Sequence, residues 1–197
     1  MSNKINYDNV RVHGDIVIIE DVINLERCNQ IIEECEKKGR YKKSSTVAEQ
    51  SGFKGNILVT PRTSQSIDIS HNTNLKELDK FLLNMFIGGV NVAEKELDLF
   101  EGFGHSCDEG YALLRYREGD GYTEHTDAMA ESNPRIVSML LYLNDDFEGG
   151  ELVFNRQDLE IKPKAGSIVV FPSNWTHPHS SSPIIKGIKH AIVSWCR

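Results

Sequence analysis

Apolar residues alternate and then run together between Val10 and Val22, first as Val-Arg-Val-His and then as Ile-Val-Ile-Ile, which is a strand pattern rather than a helical one. The period then changes. Leu25, Cys28, Ile31, Ile32 and Cys35 recur at helical spacing behind Asn24, a good N-cap, and Gly39 stands where a C-terminal cap belongs, so a helix is predicted over about 25–38. Residues 40–70 are rich in Ser, Thr, Lys and Gly around one apolar island, Ile57-Leu-Val-Thr, and read as loops or strands over a sheet edge. Leu75, Leu78, Phe81, Leu82, Met85 and Phe86 form a second helical stripe suited to core packing, which Gly88-Gly89 is expected to weaken or end.

From Tyr111 onward the pattern turns to short β-type runs: Tyr111 to Tyr116, Ile136 to Leu143, Glu151 to Phe154, Leu159 to Lys162, Ser167 to Phe171 and His190 to Trp195. Gly149-Gly150, Pro163 with Gly166, and Pro172 punctuate them as turn signals. Strands at this spacing predict a sandwich or jelly roll, with the N-terminal helices packed on one face of a single β core. The expected class is α+β. One domain is expected over 1–197, with helical and loop support over about 1–110 and the β core over about 111–197.

Composition narrows the partners. With 39% hydrophobic and 26% charged residues the chain is ordinary globular material, not disordered, collagen-like or coiled coil. Its 22 basic and 29 acidic residues leave a net charge of −7, which disfavours nucleic-acid phosphates and anionic lipid as partners. Met1-Ser-Asn-Lys-Ile-Asn-Tyr carries no apolar signal region and no stretch is apolar enough to span a bilayer, so a cytoplasmic location without a membrane partner is expected. Cys28, Cys35, Cys107 and Cys196 show no CxxC spacing and are expected to be reduced, mostly buried thiols.

Candidate chemistry lies in the histidines. His125 is followed at i+2 by Asp127, and alternate positions of an extended strand share a face, so imidazole and carboxylate can converge. The pair alone is a weak pattern and needs a distant third ligand. Trp175-Thr-His177-Pro-His179, just past the apolar strand Ile168 to Phe171, supplies two candidates. Two histidines and a carboxylate are the facial set favoured by non-haem Fe(II), although a zinc hydrolase uses the same ligand types.

The run Tyr116-Arg-Glu-Gly119-Asp-Gly-Tyr122-Thr-Glu-His125-Thr-Asp127 resembles the YxxGxxYxxHxD pattern of prolyl 4-hydroxylase-like 2-oxoglutarate/Fe(II) dioxygenases. Tyr142-Leu-Asn, Gly149-Gly-Glu-Leu, Pro163-Lys-Ala-Gly166, Phe171-Pro-Ser, and Pro178-His179 with Pro183, Gly187 and Lys189 continue it through about residues 111–197. Arg62-Thr-Ser resembles an upstream element more weakly. The resemblance implies a double-stranded β-helix, the jelly-roll core, in which His125, Asp127 and His179 hold iron, with His179 preferred over His177 by its spacing to Pro183 and Lys189. It implies that Lys189, ten residues after His179, pairs with the distal carboxylate of 2-oxoglutarate. Tyr116 and Tyr142 resemble tyrosines that contact this cosubstrate, and Trp195 lies where an aromatic lines the substrate pocket.

The implied activity is hydroxylation of an unactivated C–H bond, with release of succinate and CO2. Fe(II), 2-oxoglutarate and O2 are the implied cofactors, with ascorbate as a candidate addition. A prolyl residue in a peptide or protein is the favoured substrate, a free amino acid or other small molecule is the alternative, and a cupin-like binding module without oxidase activity is the rival class. The 40–70 segment and loop 128–134 are expected to decide the substrate. One departure stands out: Ser180-Ser-Ser182 replaces the acidic and apolar pair often found after the distal histidine.

Overall fold

The computed structural model describes residues 5–44, 62–99, 108–128 and 135–197. It opens with a hairpin of β1 (Asn9–His13) and β2 (Ile16–Glu20). Ile16 to Ile19 are all buried because both faces of β2 are covered: Val17 and Ile19 lie under the helices, Ile16 and Ile18 between the two main sheets. Covering both faces is what makes the run continuously apolar.

Helix α1 (Leu25–Lys38) follows, with Asn24 Oδ1 accepting from Arg27 N at 2.8 Å as the N-cap and Gly39 at the other end. Gly39 is there for space rather than for a left-handed turn. Its φ is −111°, and a Cβ would stand 2.3 Å from Ile67 Cγ2. Helix α2 spans Lys76–Glu96 and runs straight through Gly88-Gly89, contrary to the expectation that the pair ends it. The reason is a close approach: a Cβ at Gly88 would lie 2.2 Å from the Tyr7 hydroxyl, which donates to Met85 O at 2.7 Å. Packing of Tyr7 offsets the roughly 1 kcal/mol that a mid-helix glycine costs. Among the described residues no helix is long and apolar enough to cross a membrane.

The large sheet has eight strands in the order β1-β2-β11-β7-β14-β5-β4-β3, with β3 at Lys42–Lys43, β4 at Gln65–Asp68, β5 at Ala112–Tyr116, β7 at Val137–Tyr142, β11 at Ile168–Pro172 and β14 at Lys189–Cys196. Facing it is a four-stranded sheet in the order β10-β9-β12-β6, made of β10 (Leu159–Ile161), β9 (Leu152–Phe154), β12 (His179–Ser181) and β6 (Tyr122–His125), while β8 (Glu148–Gly149) pairs with β13 (Ile184–Lys186). Every strand pair is antiparallel. The result is the expected α+β jelly roll with helices on one face of its core.

Strand alternation divides the large sheet into two chemistries. Leu113, Met139, Leu141, Ile168, Val170 and Ile192 meet the helices, whereas Tyr116, Tyr142, Val169, Phe171, Ala191 and Val193 turn toward the smaller sheets. His190 falls on the helix side, 3.8 Å from Glu36 of α1, and Lys189 on the other. Cys28, Cys35 and Cys196 are free and buried. Cys107, the island at Ile57, most of the 40–70 segment and most of loop 128–134 lie outside the described residues.

The turn before β11 fixes how the N-terminal hairpin docks. Gly166 has φ +77°, its carbonyl accepts from Val22 N at 2.9 Å, and a Cβ would stand 2.0 Å from Ile23 O. Gly166→Ala is therefore expected to lower stability by about 2 kcal/mol or more, read as a shifted urea midpoint at unchanged m-value. A midpoint equal to the parent's would show that the turn relaxes freely.

Candidate active site

Neighbouring strands β6 and β12 place His179 directly opposite His125, with ring centroids 4.3 Å apart. Asp127 lies two residues beyond the end of β6, with Oδ1 3.4 Å from His125 Nε2 and Oδ2 3.6 Å from His179 Nε2. The ligating atoms of all three residues lie within 4.8 Å of one another.

Both imidazoles are aimed by the same device. His125 Nδ1 bonds Thr123 O at 2.9 Å and His179 Nδ1 bonds His177 O at 3.1 Å. A carbonyl only accepts, so Nδ1 carries a proton in each ring and Nε2 is the nitrogen turned toward Asp127. Tyr122 stacks on His125 with centroids 3.5 Å apart, and Phe171 meets His179 edge-on at 4.7 Å. Burial holds His179 below its ordinary pKa despite Asp127, which keeps it neutral as a ligand must be.

Asp127 is positioned by bonds rather than by strand alternation. Ser138 Oγ donates to Oδ2 at 2.7 Å, and Ser173 Oγ, also 2.7 Å from Ser138 Oγ, must donate in turn because the single Ser138 proton is already used. Ser138 and Ser173 are fully buried, and Ala128 N donates to Ser173 O at 2.8 Å. Burial works to raise the Asp127 pKa, but His179, His125 and the Ser138 hydroxyl outweigh it and hold the carboxyl well below the usual range.

A cation stands across the inter-sheet space. Lys189 pairs with Tyr116 across β14 and β5, is 3% exposed, and has Nζ 4.6 Å from the Tyr116 ring centroid. Nζ donates to Gly150 O at 2.8 Å and Ser181 Oγ at 2.5 Å. Burial pushes its pKa down to about 7, Glu151 opposing and Arg62 assisting. Among the described residues no carboxylate hydrogen-bonds this buried amino group, and its desolvation marks this as a place for one. Tyr142 is buried at the end of β7, on the inter-sheet side.

Trp195 borders the Asp127 side, since β14 sets it opposite Ser138. The Arg135 guanidinium lies 3.7 Å over its ring and grips Glu109 through two bonds of 2.7 and 2.6 Å, with Arg197 adding a third at 2.8 Å. Arg62, which sequence reasoning left without a role, bridges to Tyr122 and is kept charged against burial by Tyr116, Tyr122 and Asp127. His177 stays out of the cluster: it is buried, its ring bonds Thr176 Oγ1 at 2.7 Å, and only its carbonyl serves the site. Ser138 had one visible signal, a lone polar residue on the buried strand Ile136 to Leu143.

The donor set suits a metal. Two imidazole Nε2 atoms and one ionised carboxylate, all buried or nearly so, are the ligand types of a mononuclear non-haem Fe(II) site, and the hydrogen bonds behind them are those such ligands need.

Comparison with known proteins gives the same picture. Residues 111–197 match the model of the 2OG-Fe(II) oxygenase superfamily. Human Prolyl 3-hydroxylase 2 is 42% identical over 66 residues, 31% of this chain and 9% of that protein. Prolyl 4-hydroxylase 13 of Arabidopsis thaliana is 32% identical over 138 residues, 56% of this chain and 50% of that one. The chain thus spans half or less of these relatives. The fold is also that of a prolyl hydroxylase from Trichoplax adhaerens, solved with a hypoxia inducible factor peptide fragment, at a TM-score of 0.70 and 17% identity over 92% of this chain and 83% of that one. A viral collagen prolyl hydroxylase from Paramecium Bursaria Chlorella virus-1, solved as its 2OG complex, gives a TM-score of 0.65 at 17% identity, covering 91% and 94%.

Proposed function

We propose, from the premise that this chain is a prolyl 4-hydroxylase-like member of the 2OG-Fe(II) oxygenase superfamily, that it hydroxylates a prolyl residue of a peptide or protein, releasing succinate and CO2. One observation carries the reading: His125, Asp127 and His179 converge within 4.8 Å, and the buried Lys189 amino group reaches from β14 of the large sheet to Ser181, two residues past His179 on β12. A binding-only module has no use for a desolvated lysine held beside three such ligands.

Bound iron, with 2-oxoglutarate and O2, supplies the oxidising chemistry that turns a C–H bond into C–OH. His125, Asp127 and His179 hold the metal, their orientations set by Thr123, His177, Ser138 and Ser173. Lys189 neutralises the distal carboxylate of 2-oxoglutarate, Tyr116 flanks it, and Tyr142 with Leu152, Phe154 and Phe171 makes an apolar surround that excludes water. The Trp195–Arg135–Glu109 stack forms a rigid wall on the Asp127 side against which a substrate side chain is seated. A net charge of −7 gives no attraction for a polyanion, and the named prolyl hydroxylases among its relatives favour a peptide.

The test is turnover with Fe(II), 2-oxoglutarate and ascorbate over panels of proline-containing peptides, free amino acids and methylated oligonucleotides. Proline peptides are expected to stimulate succinate formation and to gain the mass of one oxygen traced to O2. Coupled oxidation of amino acids or oligonucleotides alone would overturn the peptide assignment and leave the iron chemistry standing. No succinate under any condition would overturn both.

A further inference from the structure

The metal ligands mark one end of the jelly roll as its mouth. His125 closes β6 and His179 opens β12, and at the same end β9 stops at Phe154, β11 at Pro172 and β14 at Cys196. The segment 173–178 joins β11 to β12 along this rim, beside the turn Asn155–Gln157 that follows β9. It carries Trp175, which is 73% exposed. Among the described residues no other Phe, Tyr or Trp side chain is exposed.

The backbone beneath this ring is pinned on both sides. Ala128 N donates to Ser173 O at 2.8 Å, Arg156 Nη1 to Trp175 O at 3.1 Å, Gln157 Nε2 to Thr176 O at 2.9 Å, and His177 N to Asn174 O at 3.1 Å. The Arg156 guanidinium also stands 5.9 Å from the indole centroid. A tryptophan is among the largest apolar side chains a core can bury, and this one is instead held outward by a fixed loop, so a partner meets it with little left to order. Reach sets what the partner is. Four residues separate Trp175 from His179, at most about 14 Å of chain, and an extended peptide covers that distance in about four residues.

We infer that Trp175 is a specificity-determining residue for the peptide substrate: its indole takes an apolar side chain about three to five residues from the target proline, so peptides are selected partly by a residue that is not oxidised. The occupant is the substrate itself because the ring is continuous with the mouth. Ser173 O ties its loop to Ala128, the residue after Asp127, and Ser173 Oγ meets the Ser138 hydroxyl that holds the Asp127 carboxylate. This rests on the peptide reading above and adds to it a determinant outside the motif positions.

The experiment compares three synthetic peptides built around one central proline: a long one with leucines about three to five residues away on both sides, one of equal length with serines there, and one trimmed to the nearest neighbours of the proline. With Fe(II), 2-oxoglutarate and ascorbate, the parent is expected to favour the leucine peptide over the serine peptide about tenfold in kcat/KM, the difference lying in KM, which is what burying part of one such side chain supplies. Trp175→Ala is expected to lose that preference while keeping the parent's kcat, its turnover of the trimmed peptide and its thermal midpoint; Trp175→Phe should retain most of the preference. A parent without the preference, or a preference left intact in Trp175→Ala, would overturn the inference. So would equal losses on long and trimmed peptides, because that is the mark of a structural role. Oxidation of the trimmed peptide by the parent upholds the peptide reading whichever way the flank comparison falls; if the parent oxidises none of the three, that reading falls and takes this inference with it.

Discussion

His125→Ala, Asp127→Ala and His179→Ala are each expected to abolish iron-dependent succinate formation, while His177→Ala retains substantial turnover. Replacing even an outer hydrogen-bond partner of a metal ligand typically costs about 10- to 100-fold in metal affinity, so removing a ligand itself should exceed about a hundredfold. The His177 contrast is sharp because that residue serves the site through its backbone carbonyl, which alanine keeps, while its ring is engaged with Thr176. Titrating each variant with Co(II) and following the visible absorption separates lost metal from lost folding, since circular dichroism of the metal-free variants should match the parent. Retained turnover in His179→Ala with loss in His177→Ala would reverse the ligand assignment.

Lys189→Ala is expected to raise the 2-oxoglutarate concentration needed for half-maximal turnover by about 30- to 5000-fold, the equivalent of about 2–5 kcal/mol for one partner of a desolvated charge pair. Fe(II) binding should be nearly unchanged, because Lys189 contacts Gly150 and Ser181 and none of the three ligands. A second signature comes from its ionisation. Burial holds the free ammonium near a pKa of about 7 instead of 10.5, so at pH 8 most molecules carry a neutral amine. A dicarboxylate restores the charge, and binding at pH 8 should take up close to one proton, measured by calorimetry in buffers of different ionisation enthalpy; Lys189→Ala should take up none. The sign for folding is the reverse of an ordinary ion pair. The unfolded chain binds the extra proton between about pH 7 and 10.5, so this lysine costs stability in full below about pH 7, and the cost fades as pH rises through that window. Equal proton uptake by parent and variant would place the lysine's charge outside the binding step.

Much of this molecule could be read along the chain. The continuous apolar run of β2, the Asn24-capped helix and the stripe of α2 follow from side-chain periodicity, which is local and survives any packing. The placement of Lys189 and His190 on opposite faces of a strand is likewise a spacing rule, whereas the ligand roles of His125, Asp127 and His179 followed from the family resemblance, Asp127 lying past the end of β6. Local rules misjudged Gly88-Gly89, because what decides a mid-helix glycine is whether another residue needs the space, and Tyr7 comes from 81 residues away in sequence. They left β12 and β13 unassigned, since His179–Ser181 and Ile184–Lys186 are three residues each, too short to show alternation, and become strands only through their neighbours. Only the tertiary structure decided which hydroxyls serve the site. Ser138 meets Asp127, and Ser173 meets Ser138, because β7, the end of β11 and the segment after β6 converge, and Ser181 meets Lys189 because two sheets face each other. A sequence specifies which residues can donate a hydrogen bond; which acceptor lies within reach is a matter of distance, and distance between strands remote along the chain exists only once the core has closed.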